Sequence, residues 1–191
     1  MEKKIILDSV NKYLEHFSEE KDRLNLFLEY LEKFNDDEMI DWNNFDGHIV
    51  AGGFIYSIKD KKFLSLYHKD LNIYLYPGGH IDEEDKSPFE AARREVFEET
   101  GISNLKALNI VDDKIVPIDI DTHMISYNER LDLPSHYHFE FRYLFVVPES
   151  YDIKVDTREL GDYKWINMDE LRNNPYYGKI ATKLDKMLKE G

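Results

Sequence analysis

"YPGGHIDEEDKSPFEAARREVFEETGI", residues 76–102, contains a helix that marks both of its own ends. Ser87 stands at the N-cap, Pro88 at the first helical position where a missing N–H costs nothing, and Glu90 where a capping box needs it. Gly101 follows the last turn, as a left-handed stop requires. At about 100° per residue, Phe89, Ala92 and Val96 share a side that can pack on a sheet, while Glu95, Glu98 and Glu99 converge on another. Acids at these spacings repel by a few tenths of a kcal/mol per pair, and two of them sit in the last turn, where the helix dipole also disfavours them. A helix that breaks two local rules at one place serves something outside itself. A divalent cation that takes hard oxygen ligands turns the repulsion into coordination. An isolated Glu pair reads as a solvated acidic face. Here, however, Pro77, Gly78 and Gly79 precede it as an expected turn, whose glycines allow positive φ and let a ligand approach the backbone.

Strands flank this element on both sides. "HIVAGGFIYSI" from His48 and "KFLSLYH" read as two strands across a tight turn, and "IYLYP" as a third leading into the glycines. Downstream, "IVPIDIDTHMISY" and "HYHFEFRYLFVV" alternate with period two. That places Asp119, Asp121 and His123 on one strand face, and His138, Glu140 and Arg142 on another. A metal site built from these two segments requires their adjacency and is not the favoured reading. The tail shows a short strand near Tyr163 to Ile166, a short helix from Met168 to Leu171, and a final helix striped by Ile180, Leu184, Met187 and Leu188.

Before all of this, Ile6, Val10, Tyr13, Leu14 and Phe17 recur at helical spacing. After Ser18, expected as an N-cap, Leu24, Phe27, Leu28, Leu31 and Phe34 do the same, which predicts a helical hairpin. Its stripes are expected to dock on the sheet or on a second subunit. A soft boundary near Asp46 divides an N-terminal extension, residues 1–46, from the main domain, residues 47–191.

The chain of 191 residues, 42% hydrophobic with 13 Tyr, 11 Phe and 2 Trp, can fill one compact core. Its formal charge of -14 argues against binding a nucleic-acid polymer. A small anionic substrate would need bridging cations. With no cysteine there are no disulfides, thiolate metal sites or cysteine nucleophiles. No signal-peptide pattern and no long apolar run stand in the sequence, so a soluble, cytoplasmic protein without membrane partners is expected.

The run from Gly79 to Ile102 resembles the box of the Nudix hydrolase family: Gly, five residues, Glu, seven residues, Arg-Glu-apolar, one residue, Glu-Glu, one residue, Gly-apolar. Gly79, Arg94, Glu95, Val96, Glu98, Glu99, Gly101 and Ile102 match it. The first box Glu falls on Asp85 counting forward and on Lys86 counting back, so the loop carries one extra residue. Which of Glu83, Glu84 or Asp85 braces Arg94 stays open.

The resemblance implies an α/β/α sandwich on a mixed sheet, with the N-terminal hairpin added. It implies metal-dependent cleavage of a diphosphate linkage by water attack on phosphorus, with the particular substrate unassigned. Glu95, Glu98 and Glu99 would hold Mg2+ or Mn2+, one of them doubling as base, and Arg94 would orient Glu95 or Glu98 rather than touch substrate. Glu159, six residues before Trp165, matches the position of a more distant metal ligand. Gly78, Gly79, His80, His138 and Arg142 would meet the substrate, with Arg142 forking a phosphate. Homodimers are common in this family. The alternative is a ligand-binding module of the same fold without catalysis. An isoprenoid diphosphate isomerase, which relies on a cysteine, does not fit.

Overall fold

The structure is a computed structural model that describes residues 1–108, 110–111, 114–129, 132–147 and 153–190. Two helices open the chain, α1 (Lys3–His16) and α2 (Asn25–Lys33), joined by a 3-10 turn over Ser18–Leu24. Ser18 begins that turn rather than capping α2, and no side-chain cap forms there. Glu20 and Arg23, three residues apart and so aligned along the 3-10 turn, form an ion pair there.

The main body follows as β1 (Gly47–Ser57), β2 (Lys62–His68), β3 (Ile73–Leu75), β4 (Gly78–His80), α3 (Pro88–Thr100), β5 (Lys106–Ala107), β6 (Ile110–Val111) and β7 (Lys114–Ile115). It ends with β8 (Asp119–Ile125), β9 (His136–Val147), β10 (Leu160–Ile166), α4 (Met168–Arg172), a 3-10 turn over Gly178–Ile180, and α5 (Ala181–Glu190). The principal sheet runs β10-β2-β1-β9-β5, with β3 on β2, β4 on β1 and β8 on β9. β6 and β7 form a separate ribbon.

One parallel pairing makes the sheet mixed. β1 and β9 run side by side from Gly47↔Tyr137 to Ser57↔Val147, while the other pairings are antiparallel. Parallel neighbours need a crossover, and α3 lies within it. Phe89 and Val96 of α3 pack toward Tyr143 and Phe145 of β9, with the Phe89 and Phe145 ring centroids 5.7 Å apart.

The hairpin docks on that same sheet face. Phe27 stacks on Phe139 at 4.9 Å, and Ile6, Val10, Leu24 and Leu31 join one apolar core with Val96 and Phe141. On the opposite face Leu171, Tyr177, Ile180 and Leu184 cover Phe54, Phe63, Leu144 and Ile166. The arrangement is the expected α/β/α sandwich. No helix among the described residues is long and apolar enough to cross a membrane.

Candidate active site

α3 is capped much as its sequence requires. Ser87 Oγ accepts from the Glu90 N–H at 3.2 Å, Pro88 takes the first turn, and Gly101 stops the helix at φ 72°. Glu90 does not return the capping-box bond; its carboxylate pairs with Arg93 at 3.1 Å. The two glycines correct the expectation of a positive-φ turn. Gly78 and Gly79 lie in β4, and among the described glycines only Gly47 and Gly101 have positive φ. What they supply is closeness. A Cβ on Gly78 would stand 2.7 Å from the Gly52 Cα, and one on Gly79 would stand 2.7 Å from a Glu95 carboxylate oxygen. Nothing larger leaves room for the acid.

Arg94 holds the acids in order. Its Nε and Nη2 donate to Asp85 at 3.3 and 2.9 Å, its Nη1 to Glu95 at 2.9 Å and Glu98 at 3.3 Å, and its Nη2 also to the His80 carbonyl at 2.8 Å. Asp85 is therefore the brace, and Glu83 and Glu84 face solvent. Gly78 N–H donates to Glu99 at 3.2 Å, so the main chain of β4 fixes one acid and Arg94 another.

Burial pushes the Glu95 carboxyl up to about 7, against the pull of Arg94. Burial likewise pushes Glu99 up to about 8, with the charges of Glu95, Glu159 and Asp156 adding to it. Glu159 is itself exposed, on the loop before β10. The side chain of Glu98 is 48% exposed and turns toward Arg94. Among the described residues, three ligand atoms lie within 4.8 Å of one another at His48, His136 and His138, through ring nitrogens, and at Asp121, His123 and Glu140, but not at the box acids. Half-buried acids short of counter-charge, over a glycine floor that admits close approach, suit a hard divalent cation.

This order of strand, glycine pair, braced arginine and converging glutamates is matched by a family model described as "NUDIX domain" over residues 48–187. The chain belongs to the NUDIX domain family. Among curated proteins it is similar to an RNA pyrophosphohydrolase of Bartonella bacilliformis, 27% identical over 114 residues, covering 55% of this chain and 64% of that protein. It is also similar to a probable DHNTP pyrophosphohydrolase of Lactococcus lactis subsp. cremoris, 29% identical over 132 residues, covering 69% and 73%. Among solved structures, a NUDIX-family hydrolase from Clostridium perfringens superposes with a TM-score of 0.57 at 25% identity, covering 73% of this chain and 97% of that one. The chain thus spans just under two thirds of the first relative's length.

The other face of the Nudix sheet corrects the role expected for Arg142. β8 pairs beside β9 with Asp119↔Arg142, Asp121↔Glu140 and His123↔His138. Arg142 is 6% exposed. It donates to Glu140 at 2.8 and 3.1 Å, to Asp119 at 3.0 Å and to Asp121 at 2.8 Å. No free fork is left for a phosphate. Asp119 also accepts from Arg23 at 2.8 Å, Lys183 at 3.0 Å and Tyr13 at 3.4 Å, while Tyr76 donates to Glu140 at 2.6 Å. Burial would raise the Asp121 carboxyl, but the His123 hydrogen bond and the charges of Arg142 and Arg23 hold it below the usual carboxylate range.

His138, expected to meet substrate, lies among other imidazoles. Burial and its neighbouring histidines lower it to about 2, and the same causes lower His48 to about 4, so both rings are neutral. His80 is exposed at the edge of this group. The adjacency that a metal site from residues 119–123 and 136–140 requires is present, since β8 pairs with β9, but His48 escaped the reading of the sequence, because only the pairing of β1 with β9 brings it beside His136 and His138.

Asp85 offers a direct test of the brace. Asp85→Asn keeps the shape and removes the charge facing Arg94, and a change of this kind behind a ligand lowers activity by roughly 10- to 100-fold. Asp85→Glu, which restores the charge, is expected to recover most of it. Initial rates at saturating Mn2+ check both variants; full activity in Asp85→Asn would show the brace to be idle.

Proposed function

We propose that this Nudix domain hydrolyses a pyrophosphate linkage in a small nucleoside diphosphate derivative or related compound, with Mg2+ or Mn2+ held by Glu95, Glu98, Glu99 and Glu159. One observation carries the reading: Glu95 and Glu99 stand half-buried together above the Gly78–Gly79 floor, with their carboxyls pushed up to about 7 and about 8. When bound, the cation neutralises phosphate charge and makes the attacking water more acidic. The chain itself supplies the positioning. Arg94, locked by Asp85, aims Glu95 and Glu98, and the Gly78 N–H fixes Glu99. Water adds to one phosphorus as the bridging P–O bond breaks, and one of these carboxylates takes the water's proton.

The formal charge of -14 makes the protein a poor host for a polyanion without cations, which favours a small substrate. Action in the cytoplasm and as a homodimer belongs to the same proposal; the cysteine-free composition supports the compartment. The deciding experiment incubates the full chain, with Mg2+ and with Mn2+, against nucleoside triphosphates, nucleotide sugars, dinucleotides, ADP-ribose, non-nucleotide diphosphates and a triphosphorylated RNA. Released phosphate or nucleotide is measured. Turnover of at least one small diphosphate compound is expected. Binding without release across the whole panel would replace hydrolysis with a ligand-binding role.

A further inference from the structure

Four imidazoles from three strands meet on the sheet face turned away from α3. The parallel register sets His48 of β1 against His138 of β9, and His80 of β4 stands against Val50, two residues further along β1. Residues two apart share a face, so all three point the same way, and His136 joins them from β9. The neighbouring Gly79 points to the opposite side, where Glu95 lies. The His48 ring centroid is 4.9 Å from His80, 4.9 Å from His136 and 4.7 Å from His138.

Three details distinguish this group from a chance cluster. His136 Nδ1 lies 2.8 Å from the Pro134 carbonyl. A carbonyl only accepts, so Nδ1 carries the proton and Nε2 presents a lone pair, as in a metal-bound histidine steadied from behind. His48 is 1% exposed, and among the described residues its Nδ1 has no partner in hydrogen-bonding geometry. His48, His136 and His138 each offer one ring nitrogen, and the three nitrogens lie within 4.8 Å of one another.

We propose that His48, His136 and His138 form a transition-metal site, separate from the glutamates of the box, that takes Zn2+ or another divalent ion preferring imidazole nitrogen, with His80 as a fourth ligand. With Zn–N bonds of about 2.0–2.1 Å, tetrahedral ligand nitrogens stand about 3.3 Å apart. The Nε2 atoms of His136 and His138 are 3.2 Å apart, and those of His48 and His80 are 3.1 Å apart. The widest gap in the triad has to close by about 1.5 Å at most, within reach of ring rotation. His48 and His136 form the closed inner side, and exposed His80 leaves the ion a way in. The neighbouring group of Asp121, His123 and Glu140 is a poorer host, because Arg142 already donates to both of its carboxylates.

The site would act on the box through β4. His80 gives its ring to the cluster and its carbonyl to Arg94, so an ion here would tie β1 and β9 to the strand that floors the glutamates. Mg2+ prefers oxygen ligands and does not compete for imidazoles, which separates the two sites experimentally.

The test uses the full chain, stripped with a chelator and held in saturating Mg2+. It is titrated with Co2+, followed by visible absorption and by paramagnetically shifted imidazole proton resonances, and then with Zn2+ by calorimetry. One equivalent of Zn2+ displacing Co2+ is expected, with shifted resonances from at least three histidines. His136→Gln and His138→Gln should each weaken Zn2+ at least 10-fold, whereas Glu99→Gln should leave its affinity unchanged. Circular dichroism checks that each variant folds, and the resonances of the unaltered chain decide the matter if one does not. Absence of shifted imidazole resonances, equal Zn2+ affinity in folded histidine variants, or loss of Zn2+ binding in Glu99→Gln would each overturn the proposal.

Discussion

Glu99→Gln is expected to lower turnover on the order of 10³-fold, the scale of losing one preorganised charged group at a reacting centre, while the protein stays folded. The substitution is nearly isosteric, and its amide oxygen can still accept from the Gly78 N–H, which now meets Glu99 at 3.2 Å. What disappears is the negative charge, and with it a ligand for the cation. Stability should move the other way or not at all. The carboxyl is held up at about 8 by burial and by Glu95, so a neutral group suits the site better than a charge does. Two measurements separate these effects. With a substrate from the panel, kcat falls; in thermal unfolding, Mn2+ at a hundredfold excess over its Kd stabilises the unaltered protein by about 2.7 kcal/mol and the variant far less. Undiminished turnover in Glu99→Gln would remove this glutamate from the mechanism.

The second large effect concerns stability. Asp119→Ala is expected to destabilise the fold by about 3 kcal/mol, the lower end of the range for breaking a buried ion pair from one side. Asp119 is 3% exposed and accepts from Arg142, Arg23, Lys183 and Tyr13, which come from β9, the turn before α2, α5 and α1. The lower end applies because Arg142 keeps Asp121 and Glu140, and because the Arg23 side chain is 37% exposed and can hydrate. At a slope of about 2 kcal/mol per molar, the urea midpoint should drop by about 1.5 M. Asp119→Asn, which keeps an acceptor, should lose less. A loss under about 1 kcal/mol in the alanine variant would mean that the network holds together as well without its central acid.

Local signals survived the step from sequence to structure best. Ser87, Pro88 and Gly101 act within one turn of the chain, and α3 lies where they put it. The alternation in residues 119–125 and 136–147 marked two strands because successive side chains of a strand point to opposite faces. What could not be read was whatever depended on register between distant segments. Arg142 looked free for a phosphate because nothing local says that Asp119 stands opposite it. Gly78 and Gly79 suggested a turn because glycine is ambiguous between unusual φ and close approach, and only the crossing with Gly52 decides for the latter. The brace was narrowed to three acids and no further, since the extra residue in the loop shifts the count without showing which acid turns inward. Ser18 suggested a cap because its residue type favours that place, but it is the first residue of the 3-10 turn and no side-chain cap forms.

The long parallel pairing of β1 with β9 also bears on how the molecule comes into being. Its partners, Gly47 with Tyr137 at one end and Ser57 with Val147 at the other, are separated by nearly half of the chain. During synthesis, the glutamate helix emerges from the ribosome before the strand that completes the sheet beneath it. Until then, apolar faces meant for the core stay uncovered in the nascent polypeptide. Closing so wide a loop before its contacts can reward it favours refolding over milliseconds to seconds rather than microseconds. The acidic cradle is therefore one of the last parts of the newborn protein to become competent.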